Sequence, residues 1–371
     1  MTDRKPNRKL RFGVATVAGA IMAAAALAGT AQAQAVDFKG KTVEFTIPFG
    51  TGGGSDVWSR FFAPLIAANL PGKPTIVVKN VAGGSSITGT NQFMARAKPD
   101  GLHILGTSAT TQFPFLLDDP RVRYDYKNLI PILVSPTGGV VYVNPSLGAK
   151  SARDLAKIKS TEMKYGSQGP TSLDLVPLLS FEIMGLNVKP VFGMTGRGPS
   201  RLAFERGEAL IDYQTTSAYI RNVVPLVKQG KAVPIYTWGV IDANGEFARD
   251  PTFPDLPHFA AAYEMAYGKK PSGDAFDAFK AFVTAGFAAQ KPLFLPKGTP
   301  KPIVDAYVVA VEKAVKTPGF RQKAGDVLGD YEQDTGAKAD KTLNVALGIN
   351  PKAKAWVKKW LTEKYSVKLG K

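Results

Sequence analysis

The sequence contains no cysteine and only two histidines. The absence of cysteine excludes disulfide bonds, thiolate metal sites, cysteine nucleophiles and an N-terminal lipidated cysteine. His103 and His258 are isolated from each other, whereas a metal site needs clustered His, Asp or Glu ligands. We therefore predict no metal and no cofactor, and interpret both histidines as structural or exposed.

Long apolar runs are absent after the N-terminus. The one apolar stretch, 14–27, follows five Lys or Arg side chains and leads to the small-residue pattern at 31–35. It falls short of the roughly 20 residues that span a bilayer. A basic head, a short apolar run and an A-x-A exit are typical of a secretory signal peptide. We predict a signal peptide over 1–35, cleaved after Ala33 or Ala35, and export to the bacterial envelope.

Acidic residues are few relative to basic ones. Lys and Arg number 47 against 30 Asp and Glu, giving a formal charge of +17, of which +13 remains without residues 1–35. A positive body attracts anions through its long-range field. The excess is spread along the chain and forms no basic, aromatic stripe, so we expect no nucleic-acid partner.

Short β-branched runs alternate with amphipathic stretches from residue 42 onward. The predicted strands are 42–47, 75–78, 102–105, 140–143, 164–167, 189–192, 210–213 and 233–238. The predicted helices are 56–70, 86–96, 173–184, 218–229, 302–316 and 352–364. This alternation favours parallel sheets covered by helices. The last third shows no further clear strand.

The fold class predicted from this pattern is α/β with two lobes, because a single sheet of all these strands would be large. The chain crosses between lobes near 135–140 and near 238–244, which are rich in glycine and small polar residues. We predict a first lobe from 36–138, a second lobe from 139–240, and a return of 241–371 to the first lobe, with the C-terminal helices placed there.

The segment IPFGTGGGSDVWSR, 47–60, follows a strand and opens a helix for which Ser55 or Asp56 is the expected cap. Glycines at 50 and 52–54 let backbone N–H groups approach a ligand, and the positive end of a helix attracts anions. The pattern does not match G-x-G-x-x-G, because Ser55 stands where the last glycine is needed. The tail of a Walker loop occurs as Gly40-Lys41-Thr42, but Ala35 stands where its first glycine is needed.

A second glycine cluster, VKNVAGGSSITGT at 78–90, also lies between a strand and a helix. Two such turns in one lobe can direct their amides into one crevice beyond the strand ends. Glycine-rich connections also occur as tight turns that bind no ligand. Composition alone leaves both interpretations open.

These segments resemble those of a known family. Pro48, Phe49, Gly52, Gly53, Asp56 and Arg60 fit its P-F-x-x-G-G-x-x-D-x-x-x-R pattern, and Val78, Asn80, Gly83 and Gly89 fit a second pattern in which Ser85 replaces one glycine. AKPDGLHIL (97–105), KYGSQGPTS (164–172) and PKGTPKPIVDAY (296–307) follow in the same order. Together they resemble the tripartite tricarboxylate transporter receptor family, also called the Bug family, over nearly the whole exported chain.

The resemblance implies a type II periplasmic binding protein fold with the ligand in the cleft between its lobes. It further implies a non-enzymatic, monomeric receptor in the periplasm that binds a mono-, di- or tricarboxylate and delivers it to inner-membrane transporter subunits. The first lobe would contribute Phe49, Gly50, Thr51, Gly52, Gly53, Gly83, Gly84, Ser85, Ser86 and Ser108 to ligand binding, with Asp56 orienting the first loop or its water. The second lobe would contribute Ser167, Gly169, Thr171, Arg197 and Asp212.

One loop departs from the family. It reads VFGMTGRGPSR over 191–201, where the family has a V-P-Y-K-G-like stretch that touches the variable end of the ligand. Arg197 in this loop could pair with a second carboxylate or be a solvated arginine. The nature of the ligand beyond a carboxylate therefore stays open.

Two other functions compete with transport. A hydrolase would need an activated nucleophile, and the elbow G-x-S-x-G is absent because Ile87 stands in place of its second glycine. A ligand sensor that signals to a membrane partner needs the same ligand trap as a transport receptor, so the sequence does not separate those two.

Overall fold

The computed structural model describes residues 1–2, 36–242 and 244–370. The predicted signal peptide and its cleavage site therefore lie outside the described residues, apart from its first two. Asp37–Lys371 forms a compact unit of its own. Among the described residues, no helix combines the length and the apolar character that a membrane crossing requires.

Thirteen strands are present in the described part of the chain. They are β1 Thr42–Ile47, β2 Thr75–Asn80, β3 His103–Gly106, β4 Leu129–Ser135, β5 Gly139–Val143, β6 Met163–Gly166, β7 Val188–Val191, β8 Ile211–Thr215, β9 Val233–Thr237, β10 Val240–Ile241, β11 Phe247–Ala248, β12 Lys291–Pro296 and β13 Asp334–Thr335. All eight strands predicted from the sequence are confirmed, with ends displaced by at most two residues.

The α-helices of the described residues lie mostly between these strands. They are α1 Gly54–Asn69, α2 Ile87–Arg96, α3 Ala109–Leu116, α4 Leu155–Ile158, α5 Leu175–Ile183, α6 Arg197–Glu205, α7 Thr216–Ala218, α8 Val224–Lys228, α9 Phe259–Tyr267, α10 Asp274–Phe287, α11 Lys301–Lys316, α12 Phe320–Leu328, α13 Gly336–Leu347 and α14 Pro351–Tyr365. A π-helical turn, Tyr219–Val223, joins α7 to α8.

Strands β1, β2, β3, β4, β12 and β13 form a six-stranded sheet in the order β13-β4-β12-β3-β1-β2. In β1, Val43, Phe45 and Ile47 are fully buried. Glu44, between the first two, pairs with Lys79 of β2 toward solvent. This alternation of buried apolar and solvated polar side chains is the period-two pattern of a strand.

The prediction of parallel sheets is only partly right. Strand β1 pairs in parallel with β2 and β3, and β6 with β7, but β12 is antiparallel to β3 and β4. In the second sheet, β5 is antiparallel to both β8 and β9. The chain leaves the first sheet at Ser135 and enters the second at Gly139.

The expectation of no strand in the last third is wrong, because β12 lies in the middle of the six-stranded sheet. Pro292 and Pro296 in β12, and Pro131 in its neighbour β4, are unusual in central strands because proline lacks an N–H donor. A register shift between Leu293 and Phe294 accommodates them. The same prolines conceal both strands in the sequence.

The return segment contacts more than the six-stranded sheet. Phe259 of α9 packs edge-on against Tyr236 of β9, and Tyr365 of α14 packs against Phe192, which follows β7. The predicted assignment of all of 241–371 to the first lobe does not describe these contacts. They arise because the second sheet needs helices to cover its apolar face.

Candidate functional site

The first glycine loop connects β1 to α1 and is held by Asp56. One oxygen of Asp56 accepts a hydrogen bond from the Gly52 amide at 3.0 Å, and the other accepts from Arg60 Nε at 3.0 Å and Asn80 Nδ2 at 3.1 Å. Asp56 thus makes the loop-orienting contact that the family resemblance implies. The helix cap is instead Gly53, which supplies no side-chain hydrogen bond, so the prediction of Ser55 or Asp56 as cap is wrong.

The second glycine loop has an unusual backbone. Ser85 and Ser86 have φ angles of 55° and 75°, in the left-handed region that non-glycine residues rarely occupy. Ser85 Oγ donates a hydrogen bond at 2.5 Å to the carbonyl oxygen of Gln168, which follows β6. Ser86 Oγ is buried and has no partner among the described residues. Strain of this kind concentrates at functional sites.

Both loops touch the part of the chain that contains the second sheet. The Gly50 amide donates to the carbonyl oxygen of Thr195 at 3.2 Å, and Ser217 Oγ donates to the carbonyl oxygen of Gly54 at 3.3 Å. Together with the Ser85–Gln168 contact, these bonds close a cleft between the six-stranded sheet and this second part of the chain.

A small cavity of about 20 Å³ lies inside this cleft at the N-terminus of α1. That volume admits about one water molecule, so a solute can enter only if the two sides move apart. The described residues that line it include no Asp or Glu. They are Phe49, Gly50, Gly53, Gly54, Ser55, Ser108, Thr110, Gln168, Leu173, Gly196, Arg197, Thr215, Gln290 and Lys291.

Gly54 is the point at which three polar groups meet. A Cβ atom at this position would lie 2.1 Å from Thr215 Oγ1, 3.0 Å from Ser217 Oγ and 3.3 Å from Lys291 Nζ. Only glycine therefore fits here in the closed arrangement. Thr215 Oγ1 is buried and has no hydrogen-bond partner among the described residues.

Lys291 is the first residue of β12 and is 2% exposed. Its ammonium donates to Gln290 Oε1, and no Asp or Glu of the described residues pairs with it. Burial lowers the pKa of Lys291 to about 7. A buried ammonium without a counter-ion is costly, and such groups cluster at functional sites.

Arg197 also lines the cavity, but its guanidinium is already engaged. It pairs with Asp174 at 3.3 Å and with Asp212, and it donates to the carbonyl oxygens of Gly166 and Tyr213. Arg197 is 6% exposed, so its interpretation as a solvated loop arginine is wrong. Burial opposes its charge, but Asp174 and Asp212 raise its pKa well above the ordinary value.

Asp212 does not face the cavity. It is fully buried, accepts hydrogen bonds from Tyr142 and Gln214, and pairs with Arg197. Its predicted role as a ligand contact is not supported by this arrangement. The same holds for a second-carboxylate role of Arg197, since a ligand would have to displace two aspartates that are already in place.

The three remaining residues predicted for the second lobe, Ser167, Gly169 and Thr171, each have a different contact. Ser167 is fully buried and donates to Asp174, and Thr171 Oγ1 donates to Asp119 at 3.2 Å. Gly169 approaches Ser85 so closely that an added Cβ would lie 2.5 Å from Ser85 Oγ. These three residues therefore pack around the closed cleft and are not part of the cavity wall.

Of the sixteen predicted ligand residues, Phe49, Gly50, Gly53, Ser108 and Arg197 line the cavity. Thr51 and Gly52 are exposed on the first loop, and Gly83, Gly84, Ser85 and Ser86 form the second loop beside Gln168 and Gly169. The sequence reasoning missed Thr215 and Lys291, and it assigned Gly54 only to the glycine-rich loop, without its contacts to Thr215, Ser217 and Lys291. A signal for Lys291 existed, because it is a lone charge inside the apolar run 285–296.

Two larger cavities have aspartates in their walls. One of about 450 Å³ includes Asp242 and Asp334, and one of about 260 Å³ includes Asp274 and Asp277 together with Lys280 and Lys352. The cavity at the N-terminus of α1 differs from both, because its described lining contains no Asp or Glu. The described residues hold no group of three or more His, Cys, Asp or Glu placed to bind a metal ion.

The sequence has relatives among other bacterial proteins, although no family model matches it. It is 28% identical to a UPF0065 protein of Bordetella pertussis over 85% of this chain and 87% of that protein. It is 26% identical to the protein BugT of the same organism over 66% of this chain and 75% of BugT. The predicted resemblance to the Bug family is confirmed.

Solved structures share the fold. The periplasmic binding protein BugD superposes with a TM-score of 0.65 at 22% identity, covering 88% of this chain and 98% of BugD. A Rhodopseudomonas palustris protein solved with adipate gives 0.68 at 18% identity, covering 89% and 99% of the two chains. The R. palustris protein MatC, solved with bound malate, gives 0.63 at 19% identity, covering 86% and 97%. The chain therefore has the two-lobed α/β fold of periplasmic binding proteins.

Proposed function

We propose that this protein is a periplasmic receptor that binds a small carboxylate in the cleft between its two lobes and delivers it to inner-membrane transporter subunits. The observation that carries the proposal is the acid-free cleft at the N-terminus of α1, where Gly53 and Gly54 bring backbone amides to a buried space. Amides at the positive end of a sixteen-residue helix stabilise an anion.

The similar proteins support the same solute class. MatC was solved with malate and the second R. palustris protein with adipate, and both solutes are dicarboxylates. BugD is a periplasmic binding protein, and the described residues that line the cavity include no Cys, His, Asp or Glu. We propose binding without chemistry, by a monomer that opens and closes.

A thermal-shift screen of the purified protein against succinate, malate, adipate and benzoate tests this function. At about 100 times its dissociation constant, a bound acid should stabilise the fold by about 2.7 kcal/mol. A raised melting temperature with an acid that is recovered unchanged supports a receptor. No shift with any acid contradicts the proposal, and consumption of the acid would show an enzyme.

Transport and sensing are separated by a second experiment in the source bacterium. Deletion of the receptor should abolish uptake of the radiolabelled acid if the receptor serves a transporter. Unchanged uptake together with a lost transcriptional response to the acid would show a sensor instead.

A further inference from the structure

Lys291 is the one cationic side chain at the cavity that no carboxylate of the described residues neutralises. Arg197, the other cation there, is paired with Asp174 and Asp212. Lys291 uses one of its three ammonium donors on Gln290 Oε1. The cleft therefore holds one positive charge without a counter-ion, on a side chain that is 2% exposed.

Three polar groups converge beside Gly54, the first residue of α1. Lys291 Nζ, Ser217 Oγ and Thr215 Oγ1 all lie within 3.3 Å of the position that a Gly54 Cβ would take. Thr215 Oγ1 has no hydrogen-bond partner, although it is buried. A buried hydroxyl without a partner and a buried ammonium without a counter-ion together indicate a binding position for a negatively charged hydrogen-bond acceptor.

We infer that a carboxylate of the solute binds as the counter-ion of Lys291 at the N-terminus of α1, and that the cleft selects carboxylates without an ammonium group over amino acids. The inference rests on the proposed function and specifies its chemistry. Selection follows from the lining, since an α-ammonium would meet Lys291 and Arg197 and find no Asp or Glu in the cavity wall. Like charges in a buried site repel strongly.

The pairing also makes affinity depend on pH. Lys291 is half neutral near pH 7 in the closed, unligated protein, and a bound carboxylate favours its charged form. Binding therefore takes up a proton above pH 7 and weakens as pH rises, by at most about tenfold per pH unit. The other charged side chain that lines the cavity, Arg197, keeps its charge because Asp174 and Asp212 raise its pKa.

The test compares Lys291→Met with Lys297→Met, a control at the exposed lysine that directly follows the same strand. Calorimetric titrations use succinate and the pair malate and aspartate, which differ by a hydroxyl in place of the ammonium. We expect a dicarboxylate to bind the wild type and Lys297→Met alike, and to bind Lys291→Met at least tenfold more weakly, as for loss of a charged hydrogen bond. Aspartate should bind the wild type at least tenfold more weakly than malate.

A loss of less than fivefold in Lys291→Met, or aspartate binding equal to malate, overturns the inference and leaves the receptor function standing. Binding of no acid by the wild type overturns both. If Lys291→Met fails to fold, titration of the wild type at pH 8 in buffers of different ionisation enthalpy decides the matter. Proton uptake on binding supports the inference, and its absence overturns it.

Discussion

The amide of Gly50 donates a hydrogen bond to the carbonyl oxygen of Thr195, and this contact joins a loop of the first sheet to the turn after β7. The loop that departs from the family pattern is thus part of the closed cleft. Arg197 of this loop forms buried ion pairs with Asp174 and Asp212. The cation of the cavity wall that has no counter-ion is Lys291 of β12.

Gly54→Ala should prevent the cleft from closing. The new Cβ would lie 2.1 Å from Thr215 Oγ1, and overpacking of this kind costs about 1–3 kcal/mol. We expect at least tenfold weaker carboxylate binding and a larger radius of gyration by X-ray scattering in the presence of the acid. Gly348→Ala is the control, because Gly348 does not line the cavity and its Cβ would meet its nearest atom at 3.4 Å. Equal binding by both variants would refute this account of closure.

Arg197→Met should destabilise the fold severely. It leaves Asp174 and Asp212 buried without their cation, and breaking a buried pair costs about 3–5 kcal/mol. Urea denaturation measures the loss. Arg206→Met, which removes an exposed arginine paired with Glu208, should cause no measurable change. Loss of binding without loss of stability in Arg197→Met would instead show a direct ligand contact.

The stability of the unligated protein should depend on Lys291 and pH. The folded protein releases the Lys291 proton above about pH 7, whereas the unfolded chain keeps it up to its ordinary pKa of 10.5. The unfolded state therefore binds more protons between these values, and this residue adds up to about 1.4 kcal/mol of stability per pH unit as pH rises.

Lys291→Met removes the buried charge, so it should be more stable than the wild type at pH 7, and the difference in stability should become smaller as pH rises to 9. Denaturant titrations at both pH values measure this, with Lys297→Met as the control. A gap that stays constant would show that Lys291 does not titrate in this range.

Asp56→Ala should loosen the first loop. It removes the acceptor of the Gly52 amide and the partner of Arg60 and Asn80. Hydrogen exchange at Gly52 should accelerate, and carboxylate affinity should fall by roughly tenfold, since a hydrogen bond to a charged group contributes about 1.5–3 kcal/mol. Glu44→Gln, on the exposed side of β1, should leave exchange at Gly52 unchanged. Unchanged exchange in Asp56→Ala would contradict the loop-orienting role.

The strands and turns that carry the first loop could be predicted because their signals are local. Glycines at 50 and 52–54 follow a strand with period-two alternation, and both features lie within one segment of sequence. The family motifs predict the fold and a carboxylate solute. The contact between Asp56 and the Gly52 amide is also local, because the two residues lie four positions apart in the sequence.

Lys291 and Arg197 could not be placed in the same way. Their roles depend on which distant residues surround them: Arg197 meets Asp174 and Asp212, while Lys291 meets Gly54 and no acid. Prolines in β12 further hide the strand that carries Lys291. Sequence pattern alone does not show whether a cation is paired, because pairing is set by tertiary packing.

The most direct measurement is a crystal structure of the protein with the acid that gives the largest thermal shift. The account predicts one acid per chain, with carboxylate oxygens within hydrogen-bond distance of Lys291 Nζ and of amides at the N-terminus of α1. An acid bound elsewhere, for example in the cavity of about 450 Å³ beside Asp242 and Asp334, would contradict it.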